Sequence, residues 1–161
     1  MRMIMYGMIT MGGVAGLIVV VGILLPPSRT GGASRIIDAP RHEVIAAMID
    51  VEGQPAWRSG VAAIELHGER WTEVTSRGER IRFQWTETGT DRLALRFESD
   101  RGYSGEWRAS LRDEGSGTAI DVEEQARIQN PIGRIMARLL FDPAAFSQTY
   151  LAELQSHLEQ R

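Results

Sequence analysis

In the run Ile120, Val122, Glu124, Ala126, Ile128, every second residue is apolar except one glutamate. Alternate residues of a strand share a face, so Glu124 points where its neighbours want an apolar core, unless a bulge shifts the register. A buried carboxylate is costly without a partner, and such groups often mark functional sites. Glu73 joins it if Trp71 is the inward residue of its strand, whereas Val74 argues for the opposite phase. Two carboxylates facing one cavity suit general acid–base chemistry, which makes Glu124 and Glu73 the catalytic candidates. The alternative is structural: an arginine, Arg58 or Arg96, neutralises them, or they stand at a solvated rim.

Other chemistries find little support. The chain has no cysteine, which removes disulfides, thiolate nucleophiles and thiolate metal sites. His42, His67 and His157 lack ligand-like spacing, so no metal site is expected. No serine–histidine–aspartate motif, nucleophile elbow, phosphate loop or dinucleotide fingerprint occurs, and no cofactor is implied. Gly115-Ser116-Gly117 reads as a hairpin turn. All the basic residues are arginine, so lysine chemistry is absent, and the net charge of −3 argues against a nucleic-acid partner.

The elements that must position these residues follow from periodicity. Ser34–Ala39 reads as a first strand, and Pro40 opens a helix with Val44, Ala47 and Met48 on one stripe. Ala56-Trp57-Arg58 fits a short helical turn. From Val61 to Ile128 the period is two, in six strands: Val61–Leu66, Arg70–Ser76, Arg80–Glu87, Arg92–Glu98, Tyr103–Arg112 and Thr118–Ile128. Short glycine-bearing turns join them, as in an antiparallel meander. Ile81, Phe83 and Trp85 share a face, as do Leu93, Leu95 and Phe97, while the arginines between them face the other way. One apolar face means a sheet covered on one side. The cover is expected to be the C-terminal helix that starts at Asn130-Pro131, with Ile132, Ile135, Met136, Leu139 and Leu140 turned to the sheet. Asp142-Pro143 kinks or restarts that helix, and Phe146, Tyr150, Leu154 and Leu158 continue at i+4 intervals to its end. The Arg134 and Arg138 pair is expected on its solvated side.

Ahead of this domain, residues 3–25 contain no charge and end at Pro26-Pro27. As a helix they would span about 34 Å, enough for a bilayer core of about 30 Å. The run is longer than a signal-peptide core, which favours a retained single-pass transmembrane anchor over a cleaved signal. Charges flank it on both sides, so the side of the membrane stays open. Gly12 and Gly16 form a small-xxx-small pair of the kind that brings two helices into a homodimer, although glycine is common in membrane helices for its own sake. Residues 26–34 read as a short flexible linker, and 35–161 as one domain.

This order of elements resembles the START-like or SRPBCC superfamily, within it the polyketide cyclase/dehydrase branch. The resemblance runs from about Arg35 to the C-terminus. It is carried by A-P-x-x-E-V at Ala39–Val44, D-V-E-G-Q-P-A-W-R at Asp50–Arg58, and R-W-T-E-V at Arg70–Val74. G-E-W at Gly105–Trp107, Gly117-Thr118, and I-x-N-P at Ile128–Pro131 complete it. It implies an α+β helix-grip fold: a seven-stranded antiparallel sheet wrapped on a long C-terminal helix, with a cavity between them. Trp57, Phe83, Trp85, Phe97, Trp107, Glu124, Met136 and Leu140 are then the residues expected to line a ligand site. The resulting expectation is a membrane-anchored module that binds a lipid, quinone or similar hydrophobic molecule. The alternatives are a cyclase or dehydrase on a hydrophobic polyketide-like substrate, and an interaction module whose cavity is collapsed. Whether there is catalysis stays open, because this superfamily hosts carriers, receptors and enzymes alike.

Overall fold

The computed structural model describes residue 17 and residues 19–160. Seven strands, β1 (Ser28–Ile37), β2 (Val61–His67), β3 (Arg70–Thr75), β4 (Arg80–Thr88), β5 (Arg92–Ser99), β6 (Tyr103–Glu114) and β7 (Gly117–Ile128), form one antiparallel sheet. Their spatial order is β1-β7-β6-β5-β4-β3-β2, so β2 to β7 are a meander and β1 pairs with the last strand. Helix α1 (Arg41–Ile49) and a 3-10 turn (Gln54–Ala56) connect β1 to β2. Helices α2 (Pro131–Leu140) and α3 (Pro143–Glu159) follow β7. The six meander strands fall where the alternation places them, within a residue or two at their ends.

Hairpin chemistry sets the meander. Gly102 and Gly115 sit in turns with φ of +83° and +60°, a left-handed conformation that residues with a Cβ rarely adopt. Register slips between Trp85 and Glu87 and between Val61 and Ala63 mark irregularities at the sheet's β2–β5 side. The inner face carries the core. Leu93, Ala109, Leu111, Ile120 and Val122 pack there against Val44 and Met48 of α1 and against Leu151 and Leu154 of α3.

Two expectations are corrected. The first strand begins at Ser28, so the supposed linker from Ser28 to Ser34 is sheet, paired residue for residue with Arg127 to Asp121. Its glycines serve close approach and do not mark a leash. A Cβ on Gly31 would lie 2.3 Å from Pro143 Cβ, where the start of α3 crosses the strand, and one on Gly32 would lie 2.5 Å from Val122 O.

The second correction concerns α2. Ile132, Met136, Leu139 and Leu140 are exposed, and the helix has no buried residue. Asn130 caps it and Asp142 caps α3, as their positions before proline predict. Its rotation, however, is fixed by arginines. Arg134 Nε donates to Ile128 O at 3.0 Å and Nη2 to Gln129 O at 3.1 Å, so Arg134 is turned to the fold. Arg29 Nη1 donates to the carbonyls of Ala137 and Phe141 at the helix end. The cover of the sheet is therefore α3, which packs on β1 and β7.

Among the described residues, no helix is long and apolar enough to cross a membrane. Residues 3–16 and 18, most of the expected anchor, and the Gly12/Gly16 pair lie outside them. Residues 19–24 are helical.

Candidate functional site

The 3-10 turn at Gln54–Ala56 exists because Pro55 fits the first turn of a helix and Gly53 precedes it. It projects Gln54, Trp57 and Arg58 towards the inner face of the sheet. Gln54 is buried; its amide donates to Met48 O at 3.0 Å, and its oxygen accepts from Arg58. Arg58 in turn donates to Glu73 Oε1 at 2.8 Å, with the two side chains 13% and 5% exposed. Glu73 faces inwards because Trp71 and Glu73 pair with Phe83 and Ile81, which settles the phase that Val74 left in doubt. Above them the Tyr150 ring of α3 lies 5.4 Å from the Arg58 guanidinium carbon, close enough for a cation–π contact.

Glu124 faces the same side from β7, near the opposite edge of the sheet. It lies cross-strand from Trp107 on β6 and from Gly31 on β1. Its residue is 7% exposed, and its carboxyl makes no hydrogen bond among the described residues. Burial pushes it up to about 7, against a smaller opposing pull from the Arg58 charge. Burial also holds the Tyr150 and Tyr103 phenols above their ordinary value. The strands β3 and β7 have three others between them, about 19 Å on a flat sheet.

Aromatic rings pave the space between the carboxylates. Trp71 stacks on Phe83 at 5.5 Å and meets Trp85 at 5.5 Å, and Phe83 meets Phe97 at 6.0 Å. Gly105 makes room for this, since a Cβ there would come within 2.6 Å of Phe97 Cζ. Tyr150 bridges Trp57 and Trp107 at 5.7 and 5.8 Å. Phe83, Trp85 and Trp57 are only partly buried.

Of the expected residues, the fold brings together Trp57, Phe83, Trp85, Phe97, Trp107, Glu73 and Glu124. Met136 and Leu140 are not packed into this core. The Glu73/Glu124 acid–base pair is not symmetric, because Arg58 already holds Glu73 while Glu124 has no hydrogen-bond partner among the described residues. Arg96 pairs with Glu106 on the opposite face and takes no part. The site also contains Tyr150 and Gln54, which the sequence pattern had not singled out. Tyr150 was legible only as one member of the i+4 stripe in α3, and Gln54 carried no signal beyond its place beside Pro55.

Two open grooves lie elsewhere. One of about 450 Å³ runs between Trp57 and α3, where His157 stacks on Trp57 at 5.5 Å. Another of about 850 Å³ lies on the sheet's polar face, lined in part by the ion pairs Arg82–Glu98 and Arg96–Glu106. Its lining sets four arginines (Arg70, Arg82, Arg96 and Arg127) against two glutamates, so it is basic, and it holds no buried carboxyl of the kind found on the inner face. Among the described residues, no cluster of three histidine, aspartate or glutamate side chains could hold a metal ion.

No protein-family model matches this chain, and no curated protein matches it. Solved structures do. A conserved protein from Geobacillus kaustophilus superposes with a TM-score of 0.70 at 16% identity, over 82% of this chain and 96% of that one. A START superfamily protein from Mycobacterium smegmatis gives 0.65 at 12% identity, over 81% and 97%. The di-domain ARO/CYC StfQ from the steffimycin biosynthetic pathway gives 0.64 at 12% identity, over 83% of this chain and 51% of that one. At these identities the likeness is one of architecture: an α+β arrangement of a seven-stranded antiparallel sheet with C-terminal helices, consistent with the helix-grip fold.

Proposed function

We propose that this protein binds a hydrophobic molecule with a neutral polar end between the aromatic inner face of the sheet and α3, at a membrane that residues 3–25 anchor it to. The observation that carries the reading is Glu124, a 7%-exposed carboxyl on a wall of aromatic rings that has no hydrogen-bond partner among the described residues. A polar group set on an apolar surface can fix the orientation of a ligand that binds there. Arg58 is already neutralised by Glu73, so the site offers no spare positive charge to an anion. A protonated Glu124 would instead donate to a carbonyl or hydroxyl, as a quinone or a neutral lipid presents. Native mass spectrometry of the full chain, extracted from its own membranes in mild detergent, tests this. A co-purifying neutral amphiphile, lost in Glu124→Leu, supports it; an empty protein that takes up no lipid or quinone at micromolar concentration overturns it.

A second reading is a cyclase or dehydrase on a polyketide-like substrate, with Glu124 as general base. It draws on the same carboxyl, poised near neutrality where a base works best, and on the shared architecture with StfQ. Under this reading Glu124→Gln abolishes turnover and leaves ligand binding nearly intact. Unchanged turnover sinks it.

A further inference from the structure

Helix α2 is amphipathic the wrong way round for a helix that serves a protein core. Ile132, Met136, Leu139 and Leu140 recur at i, i+4, i+7 and i+8, which places them on one side of the helix. That side is exposed, with Leu139 at 73% and Leu140 at 75%. The side that turns to the fold is the one with Arg134, bonded to the carbonyls of Ile128 and Gln129, and with Gly133, where a Cβ would lie 3.1 Å from Ile128 Cγ2. Phe141 and Phe146, in ring contact at 6.3 Å and both exposed, extend the apolar surface past the end of the helix. A contiguous patch of this kind marks an interaction surface.

We infer that this face of α2 lies in the interfacial layer of a lipid bilayer, as a second membrane contact beside the anchor. The inference rests on the anchor reading given above, and three observations favour lipid as the occupant. The patch is continuous with the uncharged run. A Cβ on Gly22 would lie 2.4 Å from Pro131 O, so the end of that run abuts the start of α2, with Ile23 and Leu24 exposed. Arg134 Nη1 also lies 3.4 Å from the carbonyls of Gly22, Ile23 and Leu25, which ties the two segments together. Finally, α2 contains two arginines and no acidic residue, and Arg138 is exposed. A helix with leucine-rich exposed surface and arginine as its only charge suits the headgroup boundary of anionic lipid. With β1 starting at Ser28, there is no leash to hold the domain away from the surface.

The chain has no native cysteine, so single labels are clean. Full-length Leu139→Cys, Met136→Cys and Thr90→Cys would each carry an environment-sensitive fluorophore, in vesicles of equal parts phosphatidylcholine and phosphatidylglycerol. Thr90 is the control, in the β4–β5 hairpin at the opposite end of the strands. The expected result is co-flotation of all three with the vesicles, with labels 139 and 136 blue-shifted, quenched by lipid-borne nitroxide and protected from iodide. Label 90 should show the reverse. If the protein floats but label 139 is as open to iodide as label 90, the α2 contact is overturned and the anchor stands. Labels shielded from both quenchers would mean that protein covers the face, which also overturns it. A chain that does not float overturns the anchor and the α2 contact together.

Discussion

At the residue scale, Glu124 and the Arg58–Glu73 pair make opposite predictions. Glu124 has a folded pKa raised from an ordinary 4.5 to about 7. A carboxyl raised in this way binds its proton more tightly when folded, so it costs nothing below about pH 4.5. Stability then falls as pH rises towards 7, by on the order of 3 kcal/mol in all. Glu124→Gln removes the titration. Urea unfolding should show the variant gaining on the parent between about pH 4.5 and 7, with a constant difference above; parallel pH curves would refute the burial assigned to this carboxyl. Arg58→Met acts the other way, because it strands Glu73 in the interior. It should cost about 3–5 kcal/mol in urea unfolding, and adding Glu73→Gln should recover much of it. That Glu124 faces inwards was legible in the alternation of β7. That an arginine, Arg58 or Arg96, could neutralise a carboxylate was an expectation; that Arg58 does so, and at Glu73, was not legible, because the two lie fifteen positions apart and meet only through the turn after α1.

At the element scale, α2 and α3 carry similar apolar stripes with opposite fates. Leu154 on α3 is 0% exposed in the core, and Leu154→Ala should cost about 2–5 kcal/mol by denaturant unfolding. Leu139→Ala, on the exposed stripe of α2, should change stability by no more than about 0.5 kcal/mol. Equal losses at both positions would show that α2 is packed after all. Periodicity gave both stripes and could not tell them apart. A stripe says that a face seeks an apolar neighbour, and which neighbour it meets depends on how the helix is rotated, here through Arg29 and Arg134.

At the scale of the whole molecule, β1 closes the sheet by pairing with β7, far away in sequence. Deleting residues 1–34 removes the pairs from Ser28↔Arg127 to Ser34↔Asp121 and bares most of the β7 edge. Such a fragment should aggregate and melt at a lower temperature than one beginning at Pro26, because a long unpaired edge recruits other strands. Light scattering during a thermal ramp of the two fragments checks this; matching curves would mean that the first seven residues of β1 contribute nothing.

The sequence by itself determined the meander, its turns, the two capped helix starts and the inward aromatic face, since each follows from local periodicity or a local backbone requirement. It also determined that Glu124 would meet apolar neighbours. Only the tertiary structure decided that the glycine-rich stretch from Ser28 is an edge strand, that Arg58 is the arginine that neutralises Glu73 while Glu124 has no hydrogen-bond partner among the described residues, and that α2 turns its apolar side outwards. Those outcomes depend on groups distant in sequence that meet through strand pairing, an ion pair and arginine-to-carbonyl bonds. Residue spacing along the chain carries no trace of such contacts.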